Sequence, residues 1–238
     1  ATGVNPFFSD NAAPDAGAAY IFANAGAWIQ QAYVKATNTG AGDLFGWSVA
    51  LASGGDGFSA VVGAPGEDSS ATGVNGNPFN DAAANAGAAY TYLRSGVTWS
   101  PNGYLKATNA DPGDQFGWSV AGYGNWIVVG APNEDGSDMG TAANPYNNYA
   151  PDAGAAYIFG RHVDDHGVFA WYGHDYEKAS NTGPGDQFGR AVAVTGEWTD
   201  PAGIRMVVGA PFEDSSGPGG GGFDNMAPDA GASYAFGW

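Results

Sequence analysis

The chain has no cysteine among its 238 residues, which excludes disulfide staples and thiolate metal sites. It is poor in positive charge: Lys+Arg number 7 against 24 Asp+Glu, a formal net charge of −17. A field of that sign repels nucleic acid and an anionic membrane surface, and draws in cations and cationic partners. It also keeps an exported protein soluble. No run approaches ~18 consecutive apolar residues, so no membrane-inserting helix is encoded. No stretch of helix length sustains a 3.6-residue apolar period. The chain opens on Ala1 with no signal-peptide pattern, and reads as a mature or excised segment.

Glycine and aromatic residues are plentiful. Gly accounts for 40 positions, well above the usual ~7%. Yet 14% of the chain is aromatic and 44% hydrophobic, an apolar content that disordered Gly-rich segments lack. The glycines therefore serve tight turns between packed strands.

Four short elements recur. Gly42-Asp43-Leu44-Phe45-Gly46-Trp47-Ser48-Val49-Ala50 returns at 113–121 and 185–193. Val61-Val62-Gly63-Ala64-Pro65-Gly66-Glu67-Asp68 returns at 128–135 and 207–214. Asp15-Ala16-Gly17-Ala18-Ala19-Tyr20 has counterparts at 85–90, 152–157 and 229–234, and Tyr33-Val34-Lys35-Ala36-Thr37-Asn38 at 104–109 and 176–181. Each is β-branched or aromatic and bounded by Gly, Pro, Asn or Asp, which is strand-and-turn punctuation. The repeat thus holds four strands: A from Phe-Gly onward, B ending in Gly-Ala-Pro, C at Ala-Ala-Tyr and D ending in Lys-Ala-Thr-Asn.

Fold class follows. The pattern predicts an all-β chain, a β-propeller-like array of four-stranded antiparallel blades. It forms one domain over 1–238, with repeat cores near 39–109, 110–181 and 182–238 and the end of a preceding repeat at 1–38. The continuous apolar B strands predict burial on both faces, and Pro65, Pro132 and Pro211 should end them. The phase gives about three blades plus split terminal strands. The first D strand is placed to complete the last blade, and the incomplete ends also suit strand exchange between copies.

Phe-Gly followed by Gly-Ala-Pro, at Phe45 to Gly63, Phe116 to Gly130 and Phe188 to Gly209, resembles the FG-GAP repeats of integrin alpha-subunit propellers, and more closely the bacterial type. The resemblance spans essentially the whole chain. It implies extracellular or cell-surface adhesion or ligand binding, often with calcium. One departure stands out: the A–B loops, at Ser53–Gly57, Gly122–Asn125 and Gly196–Pro201, lack the alternating acids of the family's calcium loop. That site does not carry over.

Other acids recur after Gly-Ala-Pro and at the far end of the following loop. Calcium takes six to eight hard oxygens. Candidate ligands are Glu67, Asp68 and Asp81; Glu134, Asp135 and Asp152; and Glu213, Asp214 and Asp229. Two readings stand for them: a bridging calcium, or turn residues whose side chains bond nearby backbone. Asp43, Asp114 and Asp186 read as caps of the turn into strand A. All three His lie in one insertion, where His162 and His166 with Asp164 and Asp165 form either a transition-metal set or a solvated variable loop. Ser48 follows a Gly-Trp but lacks the second Gly and the helix of a nucleophile elbow, so it reads as a strand residue. No catalytic set emerges. Tyr146, Tyr149, Trp171 and Tyr172 are expected at exposed loop tips, suited to a protein or glycan ligand. The function expected is a non-catalytic adhesion module; the alternative is a structural protein that assembles with other copies of itself.

Overall fold

In a computed structural model, which describes residues 1–6, 10–54, 57–141, 143–163, 169–196, 203–216 and 225–237, the chain forms fourteen strands and, among those residues, no helix. The strands gather into four antiparallel sheets. The first sheet holds β1 (Gly3–Val4), β2 (Ala19–Asn24) and β3 (Trp28–Lys35), ordered β1-β3-β2. The second runs in order through β4 (Ser48–Gly54), β5 (Gly57–Ala64), β6 (Ala88–Ser95) and β7 (Thr98–Leu105). The third repeats it with β8 (Ser119–Tyr123), β9 (Trp126–Ala131), β10 (Ala155–Val163) and β11 (Phe169–Glu177). The fourth has β12 (Ala191–Gly196), β13 (Ile204–Ala210) and β14 (Ala232–Gly237). The second and third sheets are complete A-B-C-D blades of a propeller-like array.

Each B strand stops at the alanine before its proline, where the ladder would lose a donor. Sheets stack face to face through three cores. Ile21 and Val34 meet Val62 and Tyr90. Val61 and Leu105 meet Val129 and Tyr157. Val128 and Ile158 meet Met206 and Val208. Strand B is therefore buried on both faces wherever a sheet lies on each side, as at Val61 and Val128. In the fourth sheet the same residue type is open: Val207 is 47% exposed, because among the described residues no further sheet covers that face.

The Phe-Gly element is the joint between repeats. Phe116 donates its amide to the Ala86 carbonyl at 3.0 Å, and Gln115 donates to Asn85 at 3.1 Å. Gly87 and Phe116 form a parallel bridge, as do Gly17 with Phe45 and Gly154 with Phe188. A side chain at Gly87 would overlap the Phe116 backbone; glycine is what allows that approach. The Phe116 ring meets Tyr157 and Phe159 of its own repeat edge-on, at 5.3 and 6.0 Å between centroids. The Ser48 hydroxyl donates to the Gly117 carbonyl of the next repeat at 2.8 Å, so Ser48 is a structural strand residue.

One expectation is corrected. The first D strand, β3, does not complete the fourth sheet; it pairs with β2 and β1, and the fourth sheet ends on β14. A short turn at Ala25–Ala27 joins β2 to β3, and closing a local hairpin costs far less chain entropy than pairing with a strand some two hundred residues away.

Candidate functional site

The acids after Gly-Ala-Pro are pinned first by burial. Glu67 is buried, and its oxygens accept from Lys106 Nζ at 3.0 Å, the Tyr104 hydroxyl at 2.9 Å, the Asn38 amide at 2.8 Å and the Ser69 backbone N–H at 3.2 Å. Lys106 and Tyr104 come from the D strand of its own repeat, and Asn38 from the repeat before. Glu134 repeats the plan with Lys178 at 2.8 Å, Asn109 at 2.9 Å and the Gly136 amide at 3.0 Å. Glu213 accepts from Asn181 at 2.5 Å and from the Ser215 hydroxyl. Burial pulls the ammonium pKa of Lys106 and Lys178 downward, and the facing glutamate opposes it. A buried charge survives only when paired and hydrogen-bonded in this way.

The second acid closes the loop. Asp68 accepts the backbone amide of Asn85 at 2.8 Å, Asp135 that of Asp152 at 2.9 Å, and Asp214 that of Asp229 at 2.8 Å. Asn85, Asp152 and Asp229 each sit at φ 54, a left-handed conformation that Asn and Asp tolerate best. Asp81 is exposed. Calcium would need six to eight oxygens free to coordinate. The Glu67 and Glu134 oxygens already face an ammonium group and amide or phenol donors. Among the described residues, no group of three His, Cys, Asp or Glu is arranged to hold a metal ion. Glu67 and Glu134 are engaged with neighbouring strands and repeats, and Asp68, Asp135 and Asp214 tie the loop ends together.

Asp43, Asp114 and Asp186 are also buried, and each accepts the amide three residues earlier, at Gly40 (2.6 Å), Asp111 (3.0 Å) and Gly183 (2.7 Å). Burial pushes their pKa up, to about 6, about 8 and about 6, and neighbouring carboxylates add to it.

The four aromatic candidates divide. Trp171, expected at an exposed tip, is only 3% exposed. Its Nε1 donates to Asn102 at 2.8 Å and the Arg161 guanidinium lies 5.3 Å from its ring. Strand alternation explains the correction, since Trp171 and Tyr172 are neighbours on β11 and face opposite ways. Tyr146 and Tyr149 are 76% and 84% exposed on the loop after β9. Tyr172 pairs with Gly160, level with Trp126 at the start of β9 and so at the other end of the sheet, and the structure does not bring it near that pair.

Tyr172 instead lines a cleft of about 610 Å³ with Tyr123, Asn125, Trp126, His162 and His174, closed on the other side by Gly203 and Ile204 of the fourth sheet. Trp126 meets His174 edge-on at 4.9 Å, and His162 stacks on Tyr172 at 4.1 Å and 18°. Among the described residues that line it none is a carboxylate, and Asp175 meets the Nδ1 of His174 at 2.5 Å. Trp126 pairs across the ladder with Gly160, whose missing side chain leaves room for the indole. The equivalent pairs are Ser59 with Leu93 and Arg205 with Gly237, so of the three sheets with this pair the third alone carries an aromatic at this register, while its glycine is shared with the fourth. The sequence put the histidines in one insertion, as a metal set or a solvated loop, and read Trp126 only as part of a B strand; the structure places His162 on β10 and His174 on β11. The signal available was an aromatic at a register where the sibling repeat has serine. Asp56, Asp164, Asp165, His166, residues 197–201 and Asp224 lie outside the described residues.

No helix of the described residues is long and apolar enough to cross a membrane. No curated protein matches the chain. The family model for the FG-GAP repeat matches residues 28–92 and 99–159, each span starting on a D strand and ending on the next C strand. With more than half of its length matched and the Phe-Gly and Gly-Ala-Pro elements forming the joints of stacked blades, the chain belongs to the FG-GAP repeat family.

Proposed function

We propose that this chain is a non-catalytic, extracellular adhesion module that binds a glycan in the cleft between its third and fourth sheets. The observation that carries the reading is the aromatic Trp126, where the corresponding B strands carry Ser59 and Arg205. At that point an indole, two tyrosines and two imidazoles converge on a concave surface. Pyranose rings pack their C–H faces on aromatic rings, while Asn and His at the edge meet hydroxyl groups. The recurrent carboxylates, alike in every repeat and engaged in structural bonds, favour a scaffold over a single hydrolytic pair. The family's usual setting supports an extracellular location. A second role, assembly with other copies, draws on a different observation, the uncovered face of the fourth sheet.

The test is a glycan array probed with the wild-type chain and with Trp126→Ala, Tyr172→Ala and Tyr146→Ala. A glycan hit that weakens about tenfold or more in the first two variants and persists in the third is expected. An array without a hit, or a hit indifferent to Trp126→Ala, would overturn the assignment.

A further inference from the structure

Two centres place the same three groups around one side-chain amide. At the first, Asn109 Nδ2 donates to one oxygen of Glu134 at 2.9 Å, and the Asn109 carbonyl oxygen accepts the Tyr157 hydroxyl at 2.6 Å. The other oxygen of Glu134 accepts from Lys178 Nζ at 2.8 Å. At the second, Asn38 donates to Glu67 at 2.8 Å and accepts from Tyr90 at 2.6 Å, while Lys106 meets the other Glu67 oxygen at 3.0 Å. One carboxylate thus spans an amine and an amide, and a phenol holds the carbonyl of that amide. A structural ion pair accounts for the lysine and the glutamate. It does not account for an amide set between the carboxylate and a phenol.

Each group suits amide exchange. Lys178, Glu134, Asn109 and Tyr157 are all buried. Burial pulls the Lys178 ammonium pKa down, which favours the neutral, nucleophilic amine once a proton has passed to Glu134. Burial pushes the Tyr157 hydroxyl well up. It therefore keeps its proton and donates to the oxygen on which negative charge develops.

We propose that these centres form isopeptide bonds, Lys178 to Asn109 and Lys106 to Asn38, that staple neighbouring repeats. Lys178 Nζ gives a proton to Glu134 and attacks Asn109 Cγ, and Tyr157 stabilises the oxyanion of the tetrahedral intermediate. A second Nζ proton is relayed through Glu134 to Nδ2. The Cγ–Nδ2 bond breaks, ammonia leaves, and the Nζ–Cγ bond stands in its place. Glu134 keeps one proton and ends neutral, so no buried charge is left alone. The step is a single event within the chain and needs no oxidant or co-reactant. Attack requires Nζ within ~3.5 Å of Cγ, a reach that rotation in the flexible lysine stem provides. In a chain without cysteine, the bond joins the segment after one D strand, β7, to the residue that follows the next, β11. Asn38 is only half-buried and also donates to the Pro78 carbonyl at 2.8 Å, so its bond forms more slowly. Asn181 is an internal control. It donates to Glu213 and accepts from Tyr234, but among the described residues no lysine meets Glu213, and Asn181 stays an amide.

The experiment is intact-mass spectrometry of the full chain, denatured after folding, followed by protease mapping. Expected is a loss of ~17 Da, one ammonia, for the Lys178–Asn109 bond, and a slower second loss of ~17 Da for Lys106–Asn38. Each should yield a branched fragment joining the two peptides. Glu134→Gln, which cannot take the Nζ proton, should abolish the first loss. Because that variant leaves Lys178 unpaired and can fail to fold, Tyr157→Phe is the second test. It keeps the ring and should slow the first loss on the order of a hundredfold, with the second unchanged. A folded chain that keeps the mass of its sequence for days would overturn the proposal. So would a loss confined to one peptide carrying Asn75-Gly76 or Asn102-Gly103, as a succinimide, or a Tyr157→Phe rate equal to that of wild type.

Discussion

A residue in this chain takes its role from what its neighbours leave unsatisfied. Glu67 is chemically able to bind a cation, yet the ammonium of Lys106 sits 3.0 Å away in the same buried space. Removing one partner of such a pair leaves a buried charge uncompensated. Lys106→Met is therefore expected to cost ~3–5 kcal/mol in urea unfolding, with Glu67→Gln added to it recovering part of the loss. Asp114 gives a pH signature. Its folded-state pKa is raised from 3.8 to about 8, so the folded chain holds that proton more tightly than the unfolded chain. The stability it contributes is complete below 3.8 and is lost as pH rises through about 8. Thermal stability should fall across that window. Asp114→Asn, which still accepts the Asp111 amide, should flatten the slope and be the more stable form at its alkaline end by ~1–3 kcal/mol. A slope identical in variant and wild type would refute this. The recurrence of Asp before Phe-Gly was visible in the sequence as a turn signal. Its buried, proton-holding state was not, because desolvation depends on the sheet that covers it.

At the scale of elements, the repeat is a plan for joints as much as for strands. The glycine of Gly-Ala-Pro has a purpose only when the next Phe-Gly lies over it. Gly130→Ala places a methyl group on the Gly189 carbonyl, and about 2–4 kcal/mol of destabilisation is expected from calorimetry. Gly209→Ala, the same change where no backbone follows, should stay within about 0.5 kcal/mol of wild type. Equal costs at both positions would sink the reading of these glycines as joint residues. Strand order, strand ends and repeat phase were legible in the sequence, since Gly, Pro and Asp mark them locally. The register shift that recurs in each C–D hairpin, at Ile21/Phe22, Thr91/Tyr92 and Ile158/Phe159, was not. It depends on pairing across the hairpin.

The whole molecule is a row of sheets in which each core belongs to two neighbours, so its stability is a sum over interfaces. Hydrogen bonds accepted by Asp68, Asp135 and Asp214 fasten the ends of the long loops, so the fold is expected to hold without calcium. A chelator should shift the thermal midpoint by less than about 1 °C. A rise of more than ~5 °C on adding millimolar calcium would show a bound ion contributing to the fold.

By itself the sequence determined what is local and repeated. It shows the all-β class, the four strands of each repeat, the order in which they come and the family they belong to. Each of these rests on side-chain alternation and turn chemistry within a few residues. Tertiary structure decided what depends on which faces meet. It buried Trp171 and left Tyr172 in a cleft, turned two glutamates into partners of lysine, and covered Val61 while exposing Val207. Those outcomes follow from desolvation, which is a property of the assembled sheets and has no value along an isolated strand.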